Sequence, residues 1–206
     1  MSTKSNEKTF IEKARRAQIM DIAIETIWDL GYAQASIGQI AKRAGISKGV
    51  VTYHFSSKDE LMQNIVVDLY MKGASFLSKI ENESTPSSML KCYIETNLEF
   101  IHAHKEQVAA VAEIVMNVRD EEGKLFYHKP GDNAIYEPLI EILQWGQEDG
   151  SFRTFTSAGT RVLAMTIRSA IDLASQQLVT NPDFDITEYS KELIQLFEST
   201  TRQTHS

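Results

Sequence analysis

The amino-acid sequence predicts an all-α protein with a small N-terminal helical domain and a larger C-terminal one. Apolar residues recur at intervals of three and four along most of the chain, which is the spacing of one helix face. No segment sustains the alternation of polar and apolar residues that a half-buried strand requires. Capping residues, glycines and prolines interrupt the helical pattern where helices are expected to begin and end.

The first predicted helix covers residues 10–30, and Gly31 after it suits the left-handed conformation that often follows a helix. Ser36 is the predicted N-cap of a second, short helix, because Gln39 three residues later completes a capping box. That helix is expected to end at Gly45.

A third helix is predicted to begin at a Ser47 cap and to run to about Phe55. Ser57 and Glu60 have the spacing of another capping box, which opens a fourth helix from Lys58 to about residue 80. The polar, proline-containing segment 81–88 indicates a boundary, and no internal repeat is present. Further helices are predicted at roughly 87–104, 107–118, 133–149, 157–180 and 185–201.

Composition narrows the class of protein. The chain has 206 residues and one cysteine, Cys92, so an intrachain disulfide and a CxxC metal site are excluded. The first residues lack the apolar stretch of a signal peptide, and no run of 18 apolar residues occurs. We therefore expect a cytoplasmic protein that does not enter a membrane.

Charge is distributed unevenly along the chain. The net charge is −7, yet residues 1–58 contain nine Lys and Arg against five Asp and Glu, a net +4. The remaining residues contain twelve basic and twenty-three acidic side chains, a net −11. Such asymmetry indicates an anion-binding N-terminal domain joined to an acidic C-terminal domain.

The pentapeptide GISKG, residues 45–49, has the G-x-S-x-G pattern that places a nucleophilic serine in α/β-hydrolases. A hydrolase would need a buried strand before Ser47, whereas the preceding residues SIGQIAKRA form a capped helical pattern. The serine hydrolase is thus one alternative, and a helix-capping Ser47 is the other.

Two short helices joined by a tight glycine turn are typical of a helix-turn-helix. Gly45 permits the turn and Ala41 is small where the helices cross. The second helix then presents its N-terminal residues to a DNA major groove. In this interpretation Lys48 donates to guanine, while Gly49 allows a close approach of the backbone. The outward-facing residues are Ser47, Lys48, Gly49, Val50, Thr52 and Tyr53.

The segment ASIGQIAKRAGISKGVVTYHFSSKDELM, residues 35–62, resembles the DNA-binding head of the TetR family of bacterial transcriptional regulators. The family pattern, close to S-K-G-x-x-Y-Y-H-F-x-s-K-e-e-L, is matched at Ser47, Lys48, Gly49, Tyr53, His54, Phe55, Ser57, Lys58, Glu60 and Leu61. Thr52 departs from it, because an aromatic residue is usual there. The resemblance covers residues 10–65 specifically and implies a three-helix, homeodomain-like DNA-binding domain.

The resemblance implies that Tyr53, His54 and Lys58 contact DNA phosphates. Lys58 and Ser36 also lie at predicted helix N-termini, where backbone N–H groups and the helix dipole favour an anion. Phosphate contacts set the register of a protein on DNA, so base specificity is expected from Lys48, Val50 and Thr52, the last two through their methyl groups.

Beyond residue 85 the resemblance implies a helical domain that binds a small molecule and dimerises through its last two helices, with a glycine turn at residues 146–153. The candidate ligand contacts are Tyr93, Asn97, Phe100, Glu113, Met116, Tyr136, Trp145, Arg168 and Asp172. Arg168 and Glu113 are the preferred polar contacts, because each is a charge within an apolar helix. The alternatives are plain core packing for the apolar residues and, for Arg168 and Asp172, either an i,i+4 ion pair or positions at the dimer seam that face water or the partner chain.

No metal or cofactor is expected. His102 and His104 stand two residues apart, so they face different sides of a helix, and no cysteine or carboxylate cluster accompanies them.

The predicted function is that of a dimeric, ligand-responsive repressor that binds a palindromic operator as double-stranded DNA and is released by an inducer. Residues 1–58 are assigned to DNA binding, and residues 59–206 to effector binding and dimerisation. The alternatives are an effector-free dimeric DNA-binding protein and, less consistent with the pattern, the hydrolase built on Ser47.

Overall fold

A computed structural model describes residues 2–80, 82–127 and 134–203. The described residues form helices and two isolated β-bridges, with no strand, so the predicted all-α class is confirmed. The helices are α1 (Ser2–Leu30), α2 (Ile37–Arg43), α3 (Lys48–His54), α4 (Lys58–Ile80), α5 (Pro86–Ala103), α6 (Lys105–Asn117), α7 (Glu137–Glu148), α8 (Ser157–Thr180) and α9 (Ile186–Thr201).

Most helix boundaries lie within a few residues of the predicted ones, because local capping sets them. Thr85 is the N-cap of α5 and Pro86 lies in its first turn. Proline is tolerated there because the N–H groups of a first turn have no intrahelical acceptor. Asp185 caps α9 through the backbone N–H groups of Thr187 and Glu188. No helix in the described ranges is both long and apolar enough to cross a membrane.

The chain divides into two compact units. The first unit consists of Met1–Met71 and Glu106–Lys129, so it contains α1 to α3, the first half of α4, and α6. One core joins these helices: Ile19 and Ile27 of α1, Val51 of α3 and Ile114 of α6 are fully buried together. The compact unit that holds the predicted helix-turn-helix therefore also includes α6, which lies far away in sequence.

The second unit consists of Lys72–Lys105 and Pro130–Ser206. Helix α5 packs against α7, α8 and α9. The buried residues include Leu90, Ile94, Leu98, Leu139, Leu143, Ala164, Ile167, Ile171, Leu193 and Phe197. Helix α9 is also joined to α8 by a hydrogen bond of 2.7 Å that the Tyr189 hydroxyl donates to the Ala170 carbonyl.

The turn after α7 connects it to the end of α9. The Phe152 side chain is buried and its N–H donates to the Gly146 carbonyl at 2.7 Å. Arg153 donates its backbone N–H to Thr201 and its Nε to Thr200, at 2.9 and 2.8 Å. A Cβ at Gly146 would lie 2.5 Å from Phe152 Cγ, so only glycine allows the ring this position.

We expect Gly146→Ala to lower the free energy of unfolding by roughly 1–3 kcal/mol, because Phe152 is held by the α9 contacts and has no room to retreat. Urea denaturation followed by Trp145 fluorescence, in a Trp28→Phe background, measures it. Gly73→Ala is the matched control, since a Cβ there would meet Phe100 at an ordinary 3.9 Å. Equal effects of the two substitutions would contradict this account of Gly146.

Candidate nucleic-acid interface

The turn between α2 and α3 has the geometry of a helix-turn-helix. Gly45 has a φ of +64°, as the predicted turn requires. The Ile46 N–H donates to the Ala41 carbonyl at 3.0 Å and the Gly45 N–H to the Lys42 carbonyl at 3.2 Å, which together form a Schellman motif. The chain therefore leaves α2 in one defined direction and enters α3 at Lys48.

Ser47 is the N-cap of α3. Its hydroxyl oxygen accepts a hydrogen bond of 3.3 Å from the Val50 N–H. Ser36 caps α2 in the same way, through the Gln39 N–H at 3.2 Å. Because a helix and a turn precede Ser47, the strand required by a nucleophile elbow is missing from this segment.

Helix α3 buries one face and exposes the other. Val51 and the following Phe55 are completely buried, whereas Tyr53 is 72% exposed and Val50 is 37% exposed. Lys48, Gly49 and Thr52 are also exposed. The six residues predicted to face outward thus lie on one accessible surface, which we call the α3 face: Ser47, Lys48, Gly49, Val50, Thr52 and Tyr53.

The polar groups of the α3 face are oriented by short-range contacts. The Thr52 hydroxyl lies within hydrogen-bond distance of the Lys48 and Gly49 carbonyls, at 3.1 and 3.3 Å, so it is committed to its own helix. The Lys48 side chain extends across Gly38 of α2, where a Cβ would lie 2.6 Å from Lys48 Cε. Gly38 therefore leaves the space that Lys48 occupies.

Gly49 has no steric role within its own chain. A Cβ at this position would meet only Ser47 Oγ, at an ordinary distance of 3.7 Å, and its φ is not positive. Glycine inside a helix costs about 1 kcal/mol relative to alanine. The chain itself therefore gives no steric reason for a glycine here, and the close approach of another molecule to the α3 face stays a prediction.

Tyr53 is the last residue of the α3 face, and His54 follows it at the end of α3. Their rings make an edge-to-face contact with centroids 5.0 Å apart. The high exposure of Tyr53 shows that it does not pack in the core, and His54 is half-buried.

Lys58 begins α4, and its ammonium group is turned inward. Nζ donates to the Tyr32 carbonyl at 2.7 Å and lies 3.9 Å from the Tyr32 ring centroid. Burial lowers the pKa of Lys58, and the charge of Asp59 opposes that shift. An ammonium has three donors, so this geometry leaves the lysine able to contact a further acceptor.

Arg16 of α1 is an organising residue that the sequence analysis missed. Its guanidinium donates to the His54 carbonyl at the end of α3 and to Asn64 Oδ1 of α4, the latter at 3.1 Å. It also lies 3.7 Å from Glu60 and 4.1 Å from the Phe55 ring centroid. One cation therefore joins α1, α3 and α4.

Two further charges have structural roles at this site. Arg43 pairs with Asp29 and donates to the Glu25 carbonyl at 3.1 Å, which ties α2 to α1. The Glu60 carboxylate accepts from the backbone and hydroxyl of Ser56, each at 2.7 Å, and these hydrogen bonds lower the pKa of Glu60. The capping box predicted there is formed with Ser56 instead of Ser57, although Ser57 does cap the Glu60 N–H.

Glu113 and Met116, both predicted to bind a ligand, lie in the unit that carries the α3 face. The expectation that Glu113 is an isolated charge is wrong. Its Oε2 accepts a hydrogen bond of 2.6 Å from the Tyr32 N–H, directly after the turn at Gly31. Met116 is 56% exposed.

The second unit contains a cavity of about 380 Å³ between α5, α7 and the end of α4. Two of the predicted ligand residues, Tyr93 and Trp145, line it. The full lining is Ile80, Met89, Tyr93, Pro138, Glu141, Ile142 and Trp145. A larger cleft of about 790 Å³, which the sequence did not indicate, lies between α5 and α9 and includes Lys91, Glu99 and Phe184.

Arg168 is not isolated either, and the i,i+4 alternative describes it correctly. Its guanidinium pairs with Asp172 at 2.6 Å and with Asn97 at 3.3 Å. Burial acts to lower the pKa of Arg168, but the charge of Asp172 and the hydrogen bonds that the guanidinium donates to Asp172 and Tyr93 raise it overall. Nε is buried without a partner. Phe100 stacks at a tilt on His104 at 4.7 Å, and Tyr136 is the half-buried N-cap residue of α7.

No group of three or more metal-ligating side chains occurs in the part of the chain that the structure describes.

The family comparison matches this site. The model described as "Bacterial regulatory proteins, tetR family" matches residues 19–65, which contain α2, α3, the α3 face and Lys58. This part of the chain is similar to the tetR family of bacterial regulatory proteins. The HTH-type transcriptional regulator BetI of Cronobacter sakazakii is 32% identical over 107 residues, 50% of this chain and 52% of that protein. The chain spans about half the length of the first curated relatives it matches.

Two longer similarities extend beyond residues 19–65. The HTH-type transcriptional repressor KstR2 of Rhodococcus jostii is 28% identical over 148 residues, 69% of this chain and 70% of that protein. The crystal structure of AibR in complex with isovaleryl coenzyme A and operator DNA has a TM-score of 0.74 at 16% identity, covering 88% of this chain and 97% of that one. The second similarity shows the fold alone. The Rhodococcus relative is named a transcriptional repressor, and the helix-capping role of Ser47 counts against the hydrolase alternative.

We expect Arg16→Ala to lower the stability of the first unit by roughly 1–3 kcal/mol, because a charged hydrogen bond to a half-buried carbonyl is lost. Urea denaturation followed by Trp28 fluorescence, in a Trp145→Phe background, measures the change. Arg15→Ala is the matched control, because it removes the same charge from an exposed neighbouring residue whose guanidinium donates to Gln18 within α1. It should change the free energy of unfolding by less than about 0.5 kcal/mol. Equal losses would show that the Arg16 contacts contribute nothing specific.

Proposed function

We propose that the protein is a dimeric, effector-responsive transcriptional repressor that binds a palindromic operator through the α3 face. One observation carries the proposal: a capped helix-turn-helix exposes small, polar and cationic residues at the start of its second helix, inside the segment matched by the tetR-family model. The name of the Rhodococcus relative, a repressor, supports the direction of regulation. We assign residues 1–58 to DNA binding and residues 59–206 to effector binding and dimerisation.

The contacts to DNA are assigned by chemistry. Tyr53 and His54 present an exposed hydroxyl and a ring nitrogen beside the end of α3, where phosphates flank a major groove. Lys58 contacts phosphate with the donors that Tyr32 leaves free, and Ser36 lies at the N-terminus of α2. Base reading falls to Lys48, with the exposed methyl groups of Val50 and Thr52 placed for contact with thymine.

Dimerisation is assigned to α8 and α9. Large apolar side chains of both helices are exposed in the single chain: Val162, Met165, Leu173, Val179 and Leu196. Covering such side chains with a second copy removes apolar surface from water. A two-fold dimer presents two α3 faces, and these read half-sites about 34–36 Å apart, or farther if the DNA is deformed.

The effector site is assigned to the cavity lined by Tyr93 and Trp145. Its volume of about 380 Å³ falls in the range of small-molecule pockets. The solved structure of AibR with an acyl coenzyme A and operator DNA supports a ligand response on this fold. By linkage, a ligand that weakens operator binding must itself bind the DNA-bound protein more weakly, by the same factor. The protein acts where the chromosome lies, in the cytoplasm.

The effector-free dimer is the second candidate, in which the acidic unit serves only to join two DNA-binding heads. If this candidate is correct, no small molecule changes both the thermal stability of the protein and its affinity for the operator. A genomic selection for bound sequences, followed by footprinting, identifies the operator and shows whether it is an inverted repeat. One asymmetric half-site bound by a monomer would contradict the dimeric proposal.

We expect Lys48→Ala to cost roughly 1–3 kcal/mol of operator binding and to relax the preference at one base position in each half-site. Tyr53→Phe should weaken operator and random DNA by similar factors, because a phosphate contact carries no sequence information. Fluorescence anisotropy at several salt concentrations separates the two outcomes. If Lys48→Ala weakens specific and random DNA equally, Lys48 does not read a base.

We expect Gly49→Ala to stabilise the first unit by up to about 1 kcal/mol, since alanine favours the helix and meets no obstacle in the chain. The same substitution should weaken operator binding at least about tenfold, because a methyl group would separate the backbone from the DNA. Urea denaturation and anisotropy on one preparation measure both effects. Operator affinity unchanged by Gly49→Ala would remove the α3 backbone from the interface.

A further inference from the structure

The cavity between α5, α7 and the end of α4 has an uneven chemical lining. Ile80, Met89, Pro138 and Ile142 provide apolar walls, and Tyr93 and Trp145 contribute aromatic rings. Among the lining residues that the structure describes, Glu141 is the one carboxylate, and none is a lysine, arginine or histidine. The cavity wall is therefore apolar and aromatic with a single negative charge.

Glu141 and Trp145 act as a pair because they are four residues apart on α7, and side chains at that spacing share a helix face. Glu141 is exposed and Trp145 is half-buried, whereas Tyr93 is 3% exposed. The carboxylate therefore stands where the cavity meets solvent, and the apolar surface continues inward from the indole ring.

The Arg168 cation does not reverse this polarity. Arg168 interacts with Tyr93 but does not line the cavity, and its charge is balanced by Asp172 at 2.6 Å. Asn97 accepts a further hydrogen bond from the guanidinium. An anionic ligand would have to compete with Asp172 for Arg168 and would also face Glu141.

The net charge of the second unit also favours a cationic ligand. Its residues, 72–105 and 130–206, contain nine Lys and Arg against fifteen Asp and Glu, a net charge of −6. A field of that sign raises the local concentration of cations and lowers that of anions.

We propose that this cavity binds a hydrophobic organic cation of the substituted ammonium class. The ammonium head lies between the Glu141 carboxylate and the Trp145 ring, where charge attraction and a cation–π contact act together. The hydrocarbon part extends inward against Met89, Ile142 and Tyr93. The inference that this cation is the effector rests on the proposed function. The inference that the cavity binds the cation does not depend on it.

The test uses the full chain carrying Trp28→Phe, which leaves Trp145 as its single tryptophan. Hexyltrimethylammonium is titrated while Trp145 emission is recorded, and 1-hexanol and hexanoate serve as neutral and anionic probes of similar length. We expect saturable binding of the cation, at least about fivefold tighter than either comparison probe, because only the cation gains the carboxylate and indole contacts.

Glu141→Gln should weaken binding of the cation by about three- to tenfold and leave the affinity for 1-hexanol unchanged, since it removes one ion contact at nearly constant side-chain shape. Glu148→Gln is the matched control, because it removes the same charge from the same helix at a residue outside the cavity lining. It should change cation affinity by less than about twofold, which measures the contribution of net charge alone.

Equal affinity for the three probes, or equal losses from Glu141→Gln and Glu148→Gln, would overturn the cation site. Operator anisotropy with saturating hexyltrimethylammonium tests the regulatory role separately. Release of the operator by the cation, abolished by Glu141→Gln, supports the cation as the effector class. Binding with the expected Glu141 dependence but without release confirms the site and overturns its assignment as the effector site.

Discussion

A seven-residue helix is too short to persist in water by its own hydrogen bonds, and α3 is such a helix. Its exposed face exists because the opposite face is buried, with Val51 and Phe55 excluded from solvent. The Arg16 guanidinium strengthens that attachment by covering the Phe55 ring and bonding to the last carbonyl of α3. Every role proposed for Lys48 to Tyr53 depends on this anchorage, since it converts a short segment into a rigid surface.

Partly buried charges need partners, and this requirement explains most of the polar contacts that the sequence does not reveal. Lys58 turns to Tyr32, Glu113 receives the Tyr32 N–H, and Arg168 pairs with Asp172. Each of these side chains is predicted from the sequence to contact DNA or ligand. A charge that the fold has already paired gains less from a new partner, which is why the carboxylate at the cavity mouth is the stronger candidate for ligand recognition.

The two compact units divide the proposed functions between them. The α3 face belongs to one unit and the aromatic cavity to the other, while α4 passes from the first at Met71 into the second at Lys72. A response to a ligand requires that it bind two states of the protein with different free energies. Residues of α6 belong to the core of the first unit, together with residues of α1 to α4. A change in the position of α6 or of α4 therefore alters the packing of that core.

The sequence by itself determined the all-α class, most of the helix boundaries, the caps at Ser36 and Ser47, and the α3 face, although α1 begins at Ser2 and not at the predicted residue 10. These features depend on neighbours within about five positions, so periodicity and capping residues report them directly. The tertiary structure alone decided the partners of the charges: Arg16 reaches Asn64 across 48 positions, Arg168 reaches Asn97 across 71, and Glu113 reaches Tyr32 across 81. It also decided that α6 packs with the DNA-binding helices. Such pairings follow from how the helices pack, and no local pattern in a single sequence records which distant residues packing will bring together.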